Sequence, residues 1–204
     1  MKKKIAALLL TAMMCTLAAC GAKDATADDE TNDKDTLVVA MELAYPPFET
    51  KDADGNPSGV SVDFAKAFGE YIGKDVVIEN IAWDGLIPAL QTGKADMVMS
   101  SMTITDERKE KVDFSEPYAN ALLALLTNKD SGITSIEDMN VEGRKIAVKT
   151  GSTGYFYAQK NLPNAEIIAL ADESACVTEV TQGKADGFIY DQLTIYRNWQ
   201  ANLD

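Results

Sequence analysis

Histidine is absent from the chain. That excludes Ser-His-Asp and Cys-His catalysis and every His-ligated metal site. Cysteine is scarce: Cys15, Cys20 and Cys176 form no CxxC pair, so neither a zinc ribbon nor a disulfide framework is available. Positive charge is in the minority, with 19 Lys and Arg against 32 Asp and Glu and a formal net charge of −13. So acidic a chain repels phosphate and is a poor partner for nucleic acid. A membrane-spanning apolar run is missing too. The uncharged stretch from Ile5 to Ala19 reaches only about 22 Å at ~1.5 Å per residue, short of a bilayer core of roughly 30 Å. What remains is 204 residues, 46% hydrophobic and 25% charged, enough for one or two soluble domains.

The N-terminus reads as an address. Met1-Lys2-Lys3-Lys4 is a cationic region and the apolar run follows it, the pattern of a secretory signal over residues 1–19. The run ends Leu17-Ala18-Ala19-Cys20-Gly21, which resembles the lipobox of bacterial lipoproteins; the resemblance implies lipidation of Cys20 and a stable membrane anchor. Residues 21–36 hold six acids, two lysines and no large apolar side chain. Such a segment cannot bury enough surface to order itself, so 20–36 is expected to be a solvated tether. Cys15 departs with the signal, and Cys176 is expected to be a buried, inert thiol.

From residue 37 strand and helix signals alternate. Leu37–Ala40, Val76–Ile78, Ala95–Ser100, Lys145–Val148, Ile167–Ile168 and Phe188–Ile189 are short apolar runs of the kind found in buried parallel strands. Ser58–Ile72 has helical spacing, with Val62, Ala65, Phe68 and Ile72 on one stripe and Gly73 as a stop. Further helices are expected over Leu86–Leu90 behind Asp84, with Pro88 in the first turn, over Tyr155–Lys160, and over Asp172–Gln182. Leu90-Gln91-Thr92-Gly93-Lys94-Ala95-Asp96 is echoed by Val180-Thr181-Gln182-Gly183-Lys184-Ala185-Asp186. Both copies sit where a helix ends on glycine and turns into a strand, which points to two α/β halves on one plan.

In open α/β sheets the ligand crevice lies beyond the carboxyl ends of the strands. Those ends carry Glu42, Tyr45 and Phe48; Trp83; Ser100, Ser101, Thr103 and Arg108; Thr150 to Gly154; and Tyr190 and Asp191. Carboxylates, aromatics, hydroxyls and one arginine thus converge on one edge of two sheets.

The stretch from Leu37 to Asp191 is similar to the bacterial extracellular solute-binding proteins of family 3, which bind polar amino acids for ABC importers. The resemblance is carried by Ala44-Tyr45-Pro46-Pro47-Phe48-Glu49, Trp83-Asp84-Gly85-Leu86-Ile87-Pro88-Ala89-Leu90, Thr103-Ile104-Thr105-Asp106-Glu107-Arg108, Asp113-Phe114-Ser115-Glu116-Pro117-Tyr118, Lys149-Thr150-Gly151-Ser152-Thr153-Gly154 and Asp191. It implies a two-lobe α/β fold of the periplasmic-binding-protein type II, each lobe a mainly parallel sheet flanked by helices, here over 37–120 and 121–204. Members of the family run further and return to complete the first lobe, so this chain is expected to be C-terminally truncated and its first lobe incomplete.

The resemblance also assigns roles. Arg108, behind a Thr105 cap, would clamp the ligand α-carboxylate with its planar fork, helped by Thr103. Ser152 and Thr153 would meet the same anion at a helix start. The Ser101 carbonyl and Asp191 would receive the ammonium, and Asp191 would also suit an ordinary helix cap. Tyr45 and Trp83 would sandwich the side chain, with cation–π attraction from a cationic head. Glu42 would face its end, as suits a basic amino acid, although an acid there also accepts from a neutral amide.

No catalytic residue, metal or cofactor is implied. The expected partners are a free amino acid, a membrane-embedded ABC permease and the membrane itself through the lipid, with the protein a monomer at the outer face of the cell membrane or in the periplasm. A same-fold enzyme such as a prephenate-like dehydratase, and a receptor sensor module, are the alternatives from other classes. The enzyme needs an acid or base in the cleft, for which Glu42 is the candidate.

Overall fold

The first strand, β1 (Thr36–Met41), is a β-branched and apolar run whose Val39, Ala40 and Met41 are fully buried. A strand covered on both faces needs neighbours on both edges, and β1 has them. The computed structural model describes residues 35–202. The expected signal segment, Cys15, the lipidated Cys20 and all but the last two residues of the tether lie outside the described residues.

In chain order there follow a small hairpin of β2 (Thr50–Lys51) and β3 (Pro57–Ser58), α1 (Val60–Ile72), β4 (Asp75–Asn80), α2 (Leu86–Gln91), β5 (Met97–Val98) and α3 (Asp106–Lys109). β4 and β5 flank β1 in parallel, giving a sheet of order β4-β1-β5. α1 covers this sheet with Val62 and Ala65, and ends at Gly73 in the left-handed conformation. Ile72, expected on the buried stripe, is instead exposed. The amides of Val60 and Ser61 at the start of α1 are satisfied by the carbonyls of Pro47 and Phe48. That anchors the loop carrying Tyr45 and Glu49 to the helix. Gly59 makes the approach possible: at φ 118°, a Cβ there would lie 2.4 Å from the Phe48 carbonyl oxygen.

The second half contributes β6 (Leu123–Thr127), β7 (Lys145–Lys149), α4 (Thr153–Asn161), β8 (Glu166–Leu170), α5 (Glu173–Thr181), β9 (Gly187–Asp191) and α6 (Gln192–Ala201). The sheet order is β6-β9-β7-β8, parallel except for β6, which pairs antiparallel with β9. Its core joins Ile146, Ala147 and Val148 of β7 to Phe188 and Ile189 of β9 and to α4 and α5. Cys176 is a free, fully buried thiol on α5, pushed up to about 12 by burial, which keeps it unreactive.

Some local expectations need correction. Only Met97 and Val98 of the expected strand 95–100 pair with β1, because the chain leaves the sheet to form the site loop. Ser58 belongs to β3, so the first long helix starts two residues later than its spacing predicts. Asp84 does not cap α2; a short 3-10 turn over Trp83–Gly85 leads in and the capping position is Gly85. β6 was not expected, although Ala121–Leu126 is an uninterrupted apolar run of the same kind as the other strands.

The sequence echo has a structural cause. Gly93 and Gly183 both close their helices at left-handed φ, 72° and 69°. Ala95 and Ala185 each bond the carbonyl six residues back, at Ala89 and Glu179. Asp96 and Asp186 then accept the amide at or near the start of the adjoining strand, Val38 and Lys145, both at 2.8 Å. The same turn thus ties helix to strand in both halves.

Gly154 in the first turn of α4 lies against β9, where an added Cβ would come 2.5 Å from the Ile189 carbonyl oxygen. Backbone cannot yield as a flexible side chain can. Gly154→Ala is expected to lower stability by about 1–3 kcal/mol, the range for overpacking a well-filled site, as measured by urea denaturation.

Candidate functional site

Parallel strands of both sheets end at the same cleft. Beyond β1 stands Glu42, beyond β4 Trp83, beyond β5 Ser100 and Ser101, beyond β7 Ser152 and Thr153, and at the end of β9 Tyr190 and Asp191. Because β6 is antiparallel, its beginning lies at the same edge, and Leu122 and Leu123 close the wall there. The cavity between these groups is about 160 Å³. All nine expected site residues, Glu42, Tyr45, Trp83, Ser101, Thr103, Arg108, Ser152, Thr153 and Asp191, line it.

Arg108 is the dominant charge. The Thr105 hydroxyl caps α3 by accepting from the Arg108 amide at 3.2 Å, which starts the helix where the arginine can turn inward. The guanidinium is 6% exposed and lies 5.3 Å from the Trp83 ring centroid. It donates to two carbonyls, Thr103 at 2.7 Å and Gly151 at 3.0 Å, the second across the cleft. Burial pulls its pKa down from the usual arginine value. The acids beside it in sequence are engaged elsewhere, Asp106 with Lys109 and Glu107 with Lys111. Among the described residues no carboxylate forms an ion pair with Arg108. A buried cation held only by neutral oxygens favours an anion brought from outside.

Asp191 has two tasks. Its Oδ1 caps α6, accepting from the amides of Leu193 at 2.9 Å and Thr194 at 3.1 Å. Its Oδ2 is buried with no hydrogen-bond partner. Burial and the neighbouring Asp191 carboxylate push the Tyr45 phenol well above its ordinary range. Tyr45 also meets Tyr190 edge-on at 6.5 Å. Ser152 caps α4 by accepting from the Tyr155 amide at 3.2 Å, so α4 points its N-terminus at the cavity.

Two charged site residues, Lys149 and Glu49, were given no role from sequence. Lys149, the last residue of β7, forms a buried ion pair with Glu42; their side chains are 3% and 13% exposed. Its ammonium also lies 5.5 Å from the Trp83 ring centroid. The expected π-faces for a ligand cation are therefore shared with the protein's own Arg108 and Lys149. Glu42 is fixed further by the Trp83 amide at 3.2 Å, so it is not a free carboxylate. Glu49 is fully buried in the wall and Tyr190 packs beside Asp191. Lys149 and Glu49 both sit inside the quoted motifs, and a lysine at the carboxyl end of an apolar strand is the signal by which the first could have been found. Among the described residues no cluster of acids and cysteine is arranged to hold a metal ion, and no helix is long and apolar enough to cross a membrane.

Known proteins resemble this chain in sequence and fold. The family model of the bacterial extracellular solute-binding proteins, family 3, matches residues 37–186. The "Probable histidine-binding protein" of Neisseria gonorrhoeae is 36% identical over 96% of this chain and 73% of its own length. The "Arginine-binding extracellular protein ArtP" of Bacillus subtilis is 35% identical over 74% of this chain, which spans 57% of that relative. Among solved structures, the ancestral amino acid-binding protein AncCDT-1, described as a precursor of cyclohexadienyl dehydratase, superposes with a TM-score of 0.78 at 42% identity, covering 82% of this chain and 75% of the other. From its strand-end cleft to its sequence motifs, the chain belongs to the bacterial extracellular solute-binding proteins of family 3.

Proposed function

We propose that the cleft binds a free, polar L-amino acid by its zwitterionic head and presents it to an ABC permease outside the cytoplasm. The single observation that carries this reading is Arg108, whose buried guanidinium is bonded, among the described residues, to carbonyls alone. A carboxylate meeting that fork, Thr103 and the N-terminus of α4 gains charge-assisted bonds in a site shielded from water. Across the cavity, the unpaired Oδ2 of Asp191 and the Ser101 carbonyl suit the ammonium. The two sheets then act as lobes, with residues 37–120 and 121–204 closing on the ligand. The ligand favours closure by the extra affinity it has for the closed form.

The relatives are binding proteins by name, and this chain is read the same way, as a carrier without turnover. For the side chain, Glu42 and the aromatic walls of Tyr45 and Trp83 support a basic amino acid. The Glu42–Lys149 pair favours a second reading, a neutral polar side chain such as an amide, since the pair offers one donor and one acceptor with no net charge. The lipobox at Cys20 supports a lipid anchor at the outer face of the cell membrane.

A thermal-shift screen of the twenty amino acids, followed by calorimetry, tests the reading, because a bound ligand raises Tm by mass action. Arg108→Ala is expected to weaken binding by at least roughly a hundredfold, ~3 kcal/mol, with the fold retained; unchanged affinity would refute the head-group assignment. Glu42→Gln is expected to weaken basic ligands by about 1–3 kcal/mol, and glutamine binding the parent more tightly than arginine decides for the neutral reading. Cys20→Ser is expected to move the protein from the membrane fraction to the soluble fraction on cell fractionation.

A further inference from the structure

Among the described residues Glu49 is the one acid in the buried interior, at 0% exposed, and it forms part of the cavity wall. Its Oε2 accepts from the hydroxyls of Ser61 on α1 at 2.6 Å and Ser101 at 3.1 Å. Its Oε1 is buried without a hydrogen-bond partner. Ser101 is the one non-glycine at positive φ among the described residues, at 50°. A side chain disfavours that left-handed conformation, so surrounding contacts must hold it. The Ser101 hydroxyl on Glu49 is such a contact, and it lies where the chain leaves β5 for the cavity.

We propose that Glu49 is a positioning residue of the amino-acid site: it pins the left-handed turn at Ser101 and keeps a buried, titratable carboxyl beside the cavity, so that capture of the ligand's ammonium is linked to ionisation of this acid. The proposal rests on the head-group reading above.

The surroundings of Glu49 set the sign. Burial pushes its pKa up to about 7, and the nearby Glu42 carboxylate adds to this. The bonds from Ser61 and Ser101 and the more distant Lys149 ammonium act in the opposite direction. The phenols of Tyr45 and Tyr118 face the same acid, and both are raised above the tyrosine range, which leaves them neutral. Near neutral pH the carboxyl is therefore divided between its two forms. A cationic ammonium entering the cavity favours the ionised form. Affinity must then rise as pH climbs through 7, and binding must release protons. If only the ionised form binds, affinity changes about tenfold between pH 6 and 8, in step with the ionised fraction.

The test measures Kd by calorimetry from pH 6 to 8 for the parent and for Glu49→Gln, with L-arginine and L-glutamine as probes. Glutamine keeps an acceptor for both serines but cannot titrate. The parent is expected to gain about tenfold in affinity over this range, as above, while Glu49→Gln stays flat. Equal pH slopes in the two proteins, or a flat parent, overturn the proposal and leave the head-group reading standing. If the parent binds neither probe nor any other amino acid, both fall. A second measurement needs no variant at position 49 and covers the case in which that variant fails to fold. In protein carrying 13C-carboxyl glutamate, Glu49 is expected to titrate near 7, and its midpoint to drop when the probe is added. The other glutamate raised to about 7, Glu173, is identified by its loss in Glu173→Gln. A Glu49 midpoint unmoved by a probe that binds overturns the linkage.

Discussion

A buried guanidinium that no carboxylate among the described residues pairs with is the constraint around which the molecule is arranged. Arg108 must leave water to reach the cleft, and two carbonyl oxygens replace only part of its hydration. The Trp83 ring supplies a polarisable surface, and the same ring carries Lys149. Because one of the carbonyls belongs to Gly151, the arginine also links the half of the chain that bears it to the half that does not. The Glu42–Lys149 ion pair crosses in the same way, and Arg197 on α6 adds a third link by donating to the Pro46 carbonyl while pairing with Glu173.

The site is economical in its use of helix ends. Thr105, Ser152 and Asp191 each cap a helix, and each thereby fixes a group at the cavity. Capping by one Asp191 oxygen sets the direction of the other. Repetition of one junction, glycine turn followed by an aspartate that bonds the next strand's amide, builds both halves so that their strand ends meet at this cleft.

Two acids, one in the cavity wall and one behind it, are held at a cost. Glu49 and Glu173 are both raised to about 7, chiefly by burial. A carboxyl whose folded pKa is raised contributes stability below its unfolded value, and that contribution is lost as pH rises through 7. Such groups persist where the charge has a use, and both lie close to the residues that span the cleft.

The apolar runs of β1, β7 and β9, the spacing of α1 and the glycine stop at residue 73 were legible because burial imposes a period and glycine alone turns the corner cheaply. That the nine residues expected at the site line one cavity follows from the convergence of strand ends in an α/β pattern, and the family motifs marked those ends. β6 was passed over, although Ala121–Leu126 is an apolar run like those of the other strands. The shortening of β5 was not legible, where the demand of the site loop overrode strand propensity. The amino-acid sequence by itself determined the class of fold, the excess of acid and the identity of the groups at the cleft. Only the tertiary structure decided which charges neutralise one another: that Lys149 takes Glu42, that Asp106 and Glu107 leave Arg108 unpaired, and that Glu49 lies wholly buried. The reason is physical: pairing depends on distances of a few ångströms between residues up to a hundred positions apart, and local pattern carries no information about those distances.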